Sequence, residues 1–293
     1  MNLKKVFFLG GDHFRPAVKV RCVDIATRLG CAIKTGVKYA AEVPEQYYVY
    51  VCVKPTLLEP GELHKLAKRG KVVWDVVDYF PPKADVEVYL TSTTLARDVY
   101  SYYGKVAMIP HHHCNFEGTP NPLGTRQPVW IGSSEWFPRL RGFEFPTYFS
   151  NHMSREEVVS IYRQMGIGLN LRGTSNLLLN PPTAYGLSNA SASKLRGTRK
   201  KMHDAHLVLS SGIKLINCMG FGIPSISSDE PAYHDFGADC TIFTNIKNCA
   251  KWVRALQHDD DLYMDLRKKC LRKAGRFHID AIIGKYKKLL HSL

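Results

Sequence analysis

The segment Ser210–Ser227 carries the residue types best suited to holding an anion. A helix entered through Ser210, Ser211 and Gly212 presents backbone N–H groups that no preceding turn satisfies, and Lys214 adds a full positive charge within its first turn. Together these suit a diphosphate. Asn217 lies one turn beyond Ile213 and is placed to reach sugar hydroxyls. An ordinary capped helix, followed by a tight turn into the β-branched strand at Pro224–Ser227, carries the same pattern, so the segment alone leaves both readings open.

Other polar residues follow predicted strands, where an open parallel sheet binds its ligand. After the first strand stand Gly10, Gly11, Asp12, His13 and Arg15. Asp78 follows the third, and His111, His112 and His113 stand at the end of the first series of strands. In the second half, Gly132, Ser133 and Arg172 occupy equivalent positions. The three histidines with Cys114 suggest a metal, but adjacent residues of an extended strand point to opposite faces and do not converge on one ion. His203 and His206, three apart, have no further ligands beside them. No structural metal is expected.

The elements needed to position these residues read as alternating strands and helices. Lys4–Leu9 is a strand, and Ala17–Leu29 has apolar residues at a helical period. Tyr47–Val53 and Lys71–Val77 are strands around a helix at Pro60–Arg69 opened by its proline. Val86–Leu90 is a strand, Ser92 caps a helix running to about Tyr103, and Val106–Ile109 is another strand. From Pro110 to Pro128 there are four prolines and two glycines and no periodicity, which reads as a linker. The alternation restarts with strands at Val129–Ile131 and near Gly142–Phe145, a helix at Ser154–Gln164, and a strand at Ile167–Leu171. A helix at Ile213–Gly220, a strand at Pro224–Ser227 and closing helices from about residue 247 complete the pattern. Residues 173–203 break it and read as a long loop or insertion. Such alternation predicts an α/β protein with parallel sheets covered on both faces.

Composition narrows the class of protein. The chain has 293 residues, more than one core usually serves, so two domains are expected. Its apolar fraction of 45% excludes extended disorder, and no apolar run is long enough for a membrane span or signal peptide. Eight cysteines without a C-x-x-C pair read as buried thiols in a reducing cytosol. The formal net charge of +14 is shared by both halves and calls for an anionic partner: nucleotide, nucleic acid or membrane. Basic runs occur at Lys194, Arg196, Arg199, Lys200 and Lys201, and again at Arg267, Lys268, Lys269, Arg272, Lys273 and Arg276. The second run reads as a solvated helix face.

Several segments, in order, carry a resemblance. Lys214–Ser227 is similar to the K-L-x-E-A-x-A-x-G-x-P-V signature of GT-B nucleotide-sugar glycosyltransferases related to glycosyltransferase family 4. Val72–Asp78 resembles a strand of their first domain, and Leu90–Ala96 a strand-to-helix "S-x-x-L-A" unit. Ile109-Pro110-His111-His112 resembles the "I-P" exit into the hinge. Glu156, Val158, Tyr162, Ile167 and Gly168 resemble the helix and strand before the donor loop. The resemblance spans about residues 4–240. It implies a GT-B fold, two Rossmann-like parallel-sheet domains facing across a cleft, with an acceptor-side domain over 1–112, a linker over 113–128, and a nucleotide-sugar-binding domain over 129–275. Residues 276–293 would form a C-terminal helix that packs back on the first domain.

The resemblance also implies an activity. A sugar would pass from a nucleotide-sugar co-substrate, UDP-sugar favoured, to a hydroxyl acceptor, without a metal. The donor-side residues it suggests are Gly132, Ser133, Arg139, Arg172, Ser211, Gly212, Lys214 and Asn217, with Phe145 or Tyr148 stacking on the base. Some positive charge is required because the leaving diphosphate gains negative charge as the glycosidic bond breaks. The candidates for catalysis are Asp12 first, as base in an inverting reaction, then His13, Asp78 and His111. A retaining reaction needs no such base, and Asp12 in a turn or Asp78 as a cap are the plain structural alternatives.

The chain departs from the family at its paired glutamates, where Leu209 and Asn217 stand instead. Arg15 and the run at Lys194–Lys201 would hold a polyanionic acceptor. A hydroxymethylated pyrimidine in DNA, flipped from the duplex, is favoured over a saccharide or lipid-linked glycan at an anionic membrane. That reading makes the protein a cytoplasmic monomer of the DNA-modifying type found in bacteriophages. Two rivals stand beside it. One is a dehydrogenase, although Gly10-Gly11-Asp12-His13 lacks the spaced G-x-G-x-x-G, and the other is a non-catalytic nucleic-acid-binding protein on the same scaffold.

Overall fold

The computed structural model describes residues 2–12, 16–77, 83–124, 126–133, 143–150, 153–171 and 211–293. The chain divides into two compact units: Met1–His111, Leu209–Ser211 and Asp280–Leu293 in one, His112–Val208 and Gly212–Ile279 in the other.

The first unit is built on a six-stranded parallel sheet in the order β2-β1-β3-β4-β5-β6. Its strands are β1 (Val6–Gly10), β2 (Ala32–Thr35), β3 (Val49–Val53), β4 (Lys71–Val76), β5 (Val88–Thr91) and β6 (Val106–Met108). β1 and β3 are buried at every position, as strands covered on both faces require. The first helix, α1, opens at Pro16–Val18, passes through a π-helical turn at Lys19–Val23 and ends as Asp24–Leu29. α2 spans Glu62–Arg69 and α3 Thr94–Tyr100. The cap of α3 is Thr93, whose hydroxyl accepts from the Ala96 N–H at 3.2 Å, where Ser92 was expected; the helix also ends at Tyr100, short of Tyr103.

An ion pair lies within this unit. Arg21, on the π turn, donates from Nε to both Asp75 oxygens at 2.9 and 2.8 Å and from a terminal nitrogen to the Ile109 carbonyl at 2.9 Å. Both side chains are buried. The last helix of the chain, α9 (Ile279–His291), reaches the same network: Tyr286 donates to Asp75 Oδ2 at 3.2 Å. At the surface, Arg28 pairs with Asp280 at 3.0 Å.

The second unit has a five-stranded parallel sheet in the order β11-β10-β9-β7-β8. The strands are β7 (Pro128–Gly132), β8 (Thr147–Phe149), β9 (Ile167–Asn170), β10 (Ser225–Ser227) and β11 (Thr241–Phe243). Counted from its own first strand, this order repeats that of β1 to β5, so each sheet reverses direction beside its first strand. The expected strand near Gly142–Phe145 lies further on, because β8 pairs with β7 from Thr147 opposite Trp130 while the Pro146 carbonyl accepts from the Trp130 N–H at 2.9 Å.

Side-chain alternation along β7 divides the core of this unit. Trp130 packs with Ile167, Leu169 and Ile226 against α7 (Ile246–His258) and α8 (Asp260–Ala274). Val129 and Ile131 face the other way, toward Tyr162 of α4 (Arg155–Gln164) and Cys218 and Phe221 of α5 (Ile213–Phe221). Ser154 and Glu157 form a capping box on α4. A short helix, α6 (Pro231–Gly237), was not expected, nor were β2 and β11, each of four residues or fewer.

The proline-rich stretch expected as a linker has no regular element, but its backbone and side chains are tied to the second unit. The Cys114 N–H donates to Asn217 Oδ1 at 2.9 Å. Asn115 Nδ2 donates to the Gly220 carbonyl at 2.6 Å, and Asn121 Nδ2 to the Tyr162 carbonyl at 2.7 Å. Arg267, expected on a solvated face, is buried instead and donates to the Gly222 carbonyl at 2.8 Å and to the Asn121 carbonyl. Its neighbours on α8 are paired at the surface, Lys269 with Asp265 at 2.5 Å and Lys273 with Asp239. All eight cysteines are free thiols and seven are buried. Among the described residues no helix is long and apolar enough to cross a membrane.

Candidate functional site

The reversal of strand order in the second unit falls between β7 and β9, and such switch points are where doubly wound sheets hold ligands, beyond the carboxyl ends of the strands. Gly132 ends β7 and Asn170 ends β9. Trp130 spans the two strands by donating from Nε1 to the Leu171 carbonyl at 2.9 Å. Over the Trp130 ring lies Lys214, its Nζ 4.4 Å from the ring centroid. Such a cation–π contact is worth about 0.5–2 kcal/mol and fixes the ammonium in place.

Gly132 makes this arrangement possible. A Cβ at that position would stand 2.6 Å from the Trp130 ring and 2.8 Å from Lys214 Nζ. Only a residue without a side chain lets the ring and the ammonium close on the end of β7. A second glycine, Gly212, serves the helix start: a Cβ there would meet the Phe236 ring of α6 at 2.6 Å.

α5 begins at Ile213 with Gly212 as its N-cap, and no side chain caps it. A glycine N-cap offers the first amides no side chain of its own, and with Lys214 in the first turn the helix start is electropositive. The sheet edge beside it is polar. Asn170, the last residue of β9, donates from Nδ2 to the hydroxyl of Ser227, the last residue of β10, at 3.3 Å. Ser228 and Glu230, at the start of α6, are also buried. This arrangement can accept a multiply charged anion at the helix end and offer hydrogen bonds at its edge.

The expected donor-side residues are thus partly brought together. Gly132, Gly212 and Lys214 gather at the carboxyl edge, and Ser133 directly follows Gly132. Ser211, which directly precedes Gly212, is buried. Asn217 is placed differently from its expectation. Its Oδ1 is occupied by the Cys114 N–H and the residue is 8% exposed, because one turn along α5 turns its side chain toward the Cys114 stretch. Phe145 packs on the core beside Trp130, and Tyr148 lines a cavity with Gln127 and Gly166, which precede their strands; neither accompanies Lys214. Trp130 and Asn170 were missed, as was Phe149, whose ring stands edge-on to Trp130 with centroids 6.4 Å apart. A tryptophan inside a buried strand looks like core in the sequence, and the only signal was its place two residues before Gly132.

In the first unit, Asp12 is partly exposed on the loop after β1, where the first sheet also reverses. His111 is 2% exposed. His112 and His113 are buried too; burial first, then His278 and His112, press the His113 imidazole down to about 4. Among the described residues no group of three or more His, Cys, Asp or Glu side chains is placed to hold a metal ion. His13, Arg15, Asp78, Arg139, Arg172, Lys194, Arg196, Arg199, Lys200 and Lys201 lie outside the described residues.

No protein-family model matches the chain, and no curated protein sequence does. Solved structures do match. Anabaena Alr3699/HepE in complex with UDP-glucose aligns over 98% of this chain and 100% of its own, at 12% identity and a TM-score of 0.57. An alpha-glucosyltransferase in complex with UDP and a 13-mer DNA containing an HMU base aligns over 98% and 99%, at 9% identity and 0.58. The pneumococcal O-GlcNAc transferase GtfA aligns over 83% of this chain and 56% of its own, at 14% and 0.48. At such identities the likeness is one of fold, and the fold is GT-B, with two Rossmann-like parallel-sheet domains.

Proposed function

We propose that this protein is a glycosyltransferase that moves a sugar from a UDP-sugar to a hydroxyl group, and that the acceptor is a hydroxymethylated pyrimidine in DNA. One observation carries the donor half: the start of α5 behind a glycine N-cap, with Lys214 held over Trp130 against Gly132, at the switch point of the second sheet. During transfer the bond from the anomeric carbon to the diphosphate breaks with its electron pair leaving on the phosphate oxygen. The helix amides and Lys214 meet that growing charge, so they bind the transition state better than the donor. HepE and the alpha-glucosyltransferase, two neighbours that align over nearly their full length, were solved with UDP or a UDP-sugar, which supports the choice of nucleotide.

The acceptor oxygen forms the new bond and gives up its proton. In an inverting reaction Asp12 is the candidate to take it. Support for a DNA acceptor comes from the alpha-glucosyltransferase bound to HMU-containing DNA and from the net charge of +14. Nucleic-acid binding driven by such charge weakens steeply with salt.

The test is incubation of the full chain with UDP-glucose and, separately, hydroxymethylated DNA, plain DNA and a lipid-linked saccharide. A one-hexose mass increase on the hydroxymethylated DNA alone is the expected result. Transfer to the saccharide alone would keep the donor assignment and replace the acceptor. Absence of transfer together with absence of stabilisation by UDP, GDP or TDP would overturn both.

A further inference from the structure

A cavity of about 480 Å³ opens in the second unit at the end of the sheet opposite Lys214. Its position is fixed by Gln127, Gly166 and Ile223, each just before a strand, and its other walls include Arg163, Tyr263 and Arg267. That volume suits a small organic molecule.

Arg267 gives the cavity its chemistry. The residue is 8% exposed, and its guanidinium donates to the Gly222 and Asn121 carbonyls. Among the described residues no carboxylate lies within ion-pair distance of it. Burying a guanidinium against neutral acceptors alone is costly, and an anion beside it would relieve that cost. The second wall cation, Arg163, is paired with Glu117 at 3.1 Å toward solvent, and no Asp or Glu lines the cavity. Val129, Ile161 and Met165 add apolar wall to the cavity.

We infer that this cavity binds a small organic anion with an apolar body, a phosphate or carboxylate whose charge meets Arg267 and whose ring or chain lies against Val129 and Ile161. The site is separate from the one assigned to the donor, since its walls stand at the opposite strand ends. It gives the second unit a place where a metabolite of that class can bind while the donor site is filled.

Phenyl phosphate is a suitable probe, with benzyl alcohol as its uncharged counterpart, titrated calorimetrically into the full chain with and without saturating UDP. Arg267→Gln is the obvious variant, but the guanidinium also holds two carbonyls, so loss of folding would confuse the result. Ile161→Trp fills the cavity and leaves Arg267 in place. The expected outcome is saturable binding of phenyl phosphate that persists in UDP, is lost in Ile161→Trp and is not matched by benzyl alcohol. Four results would each overturn the inference: no saturable binding, displacement by UDP, undiminished binding to Ile161→Trp, or equal binding of benzyl alcohol. Whether UDP binds at all is read separately, from the UDP titration, so failure of the donor reading is distinguishable from failure of this one.

Discussion

Lys214 Nζ stands 4.4 Å from the centroid of the Trp130 ring, and the ring is in turn fixed by its Nε1 hydrogen bond to the Leu171 carbonyl. The ammonium is thereby placed beside the start of α5 by two elements distant in sequence. That placement underlies the donor assignment, and it rests on side chains whose removal has separable effects.

Gly132→Ala inserts a methyl group into the space closed by the Trp130 ring and Lys214. Overpacking of this kind costs about 1–3 kcal/mol of stability. Because the displaced group is the ammonium itself, UDP affinity should fall by about fivefold or more. Urea denaturation and UDP calorimetry on the same protein would measure both. Trp130→Phe should also weaken UDP binding, and it adds about 1–3 kcal/mol of destabilisation from the unsatisfied Leu171 carbonyl.

The ion pair of Arg21 and Asp75 gives a second prediction. Asp75→Ala leaves a buried guanidinium without its partner and should cost about 3–5 kcal/mol. Tyr286→Phe removes only the hydroxyl that donates to Asp75 at 3.2 Å, and should cost about 1.5–3 kcal/mol because the acceptor is charged. Denaturant titration of both variants tests the order: Tyr286→Phe as damaging as Asp75→Ala would show that α9 depends on the hydroxyl more than on the pair.

Stability should also depend on pH through His113. Its folded value of about 4 lies below the ordinary 6.5, so the unfolded chain binds the proton more tightly. Stability from this group is fully present above about pH 6.5 and is lost progressively as pH falls through 4, by roughly 3 kcal/mol in total. Denaturation midpoints compared at several pH values for the wild type and His113→Asn test this, and the variant should show a flatter slope between pH 4 and 6.5.

The strands and the two-part architecture were legible because buried parallel strands write uninterrupted β-branched runs, as in Tyr47–Val53, and because Gly-Pro punctuation separates them. Short elements escaped: β2 and β11 have four and three residues, too few for any period to show. Within the site, Lys214 and Gly132 could be read from their positions at a helix start and a strand end. Trp130 could not, since a ring buried on one face of a strand gives no sign of the cation that lies over it. Asn217 was misplaced because helical spacing gives its angle around α5 but not what occupies that side, here the Cys114 N–H.

The most direct test of the donor assignment is calorimetric titration of UDP into the wild-type chain and into Lys214→Ala. Truncating a surface-facing cation over an intact Trp130 should leave the fold standing, as the thermal midpoint would report. The account predicts saturable UDP binding by the wild type and at least about a tenfold loss in the variant, the loss of one charge-assisted contact of about 1.4 kcal/mol or more. Equal UDP affinity in the two proteins would contradict it.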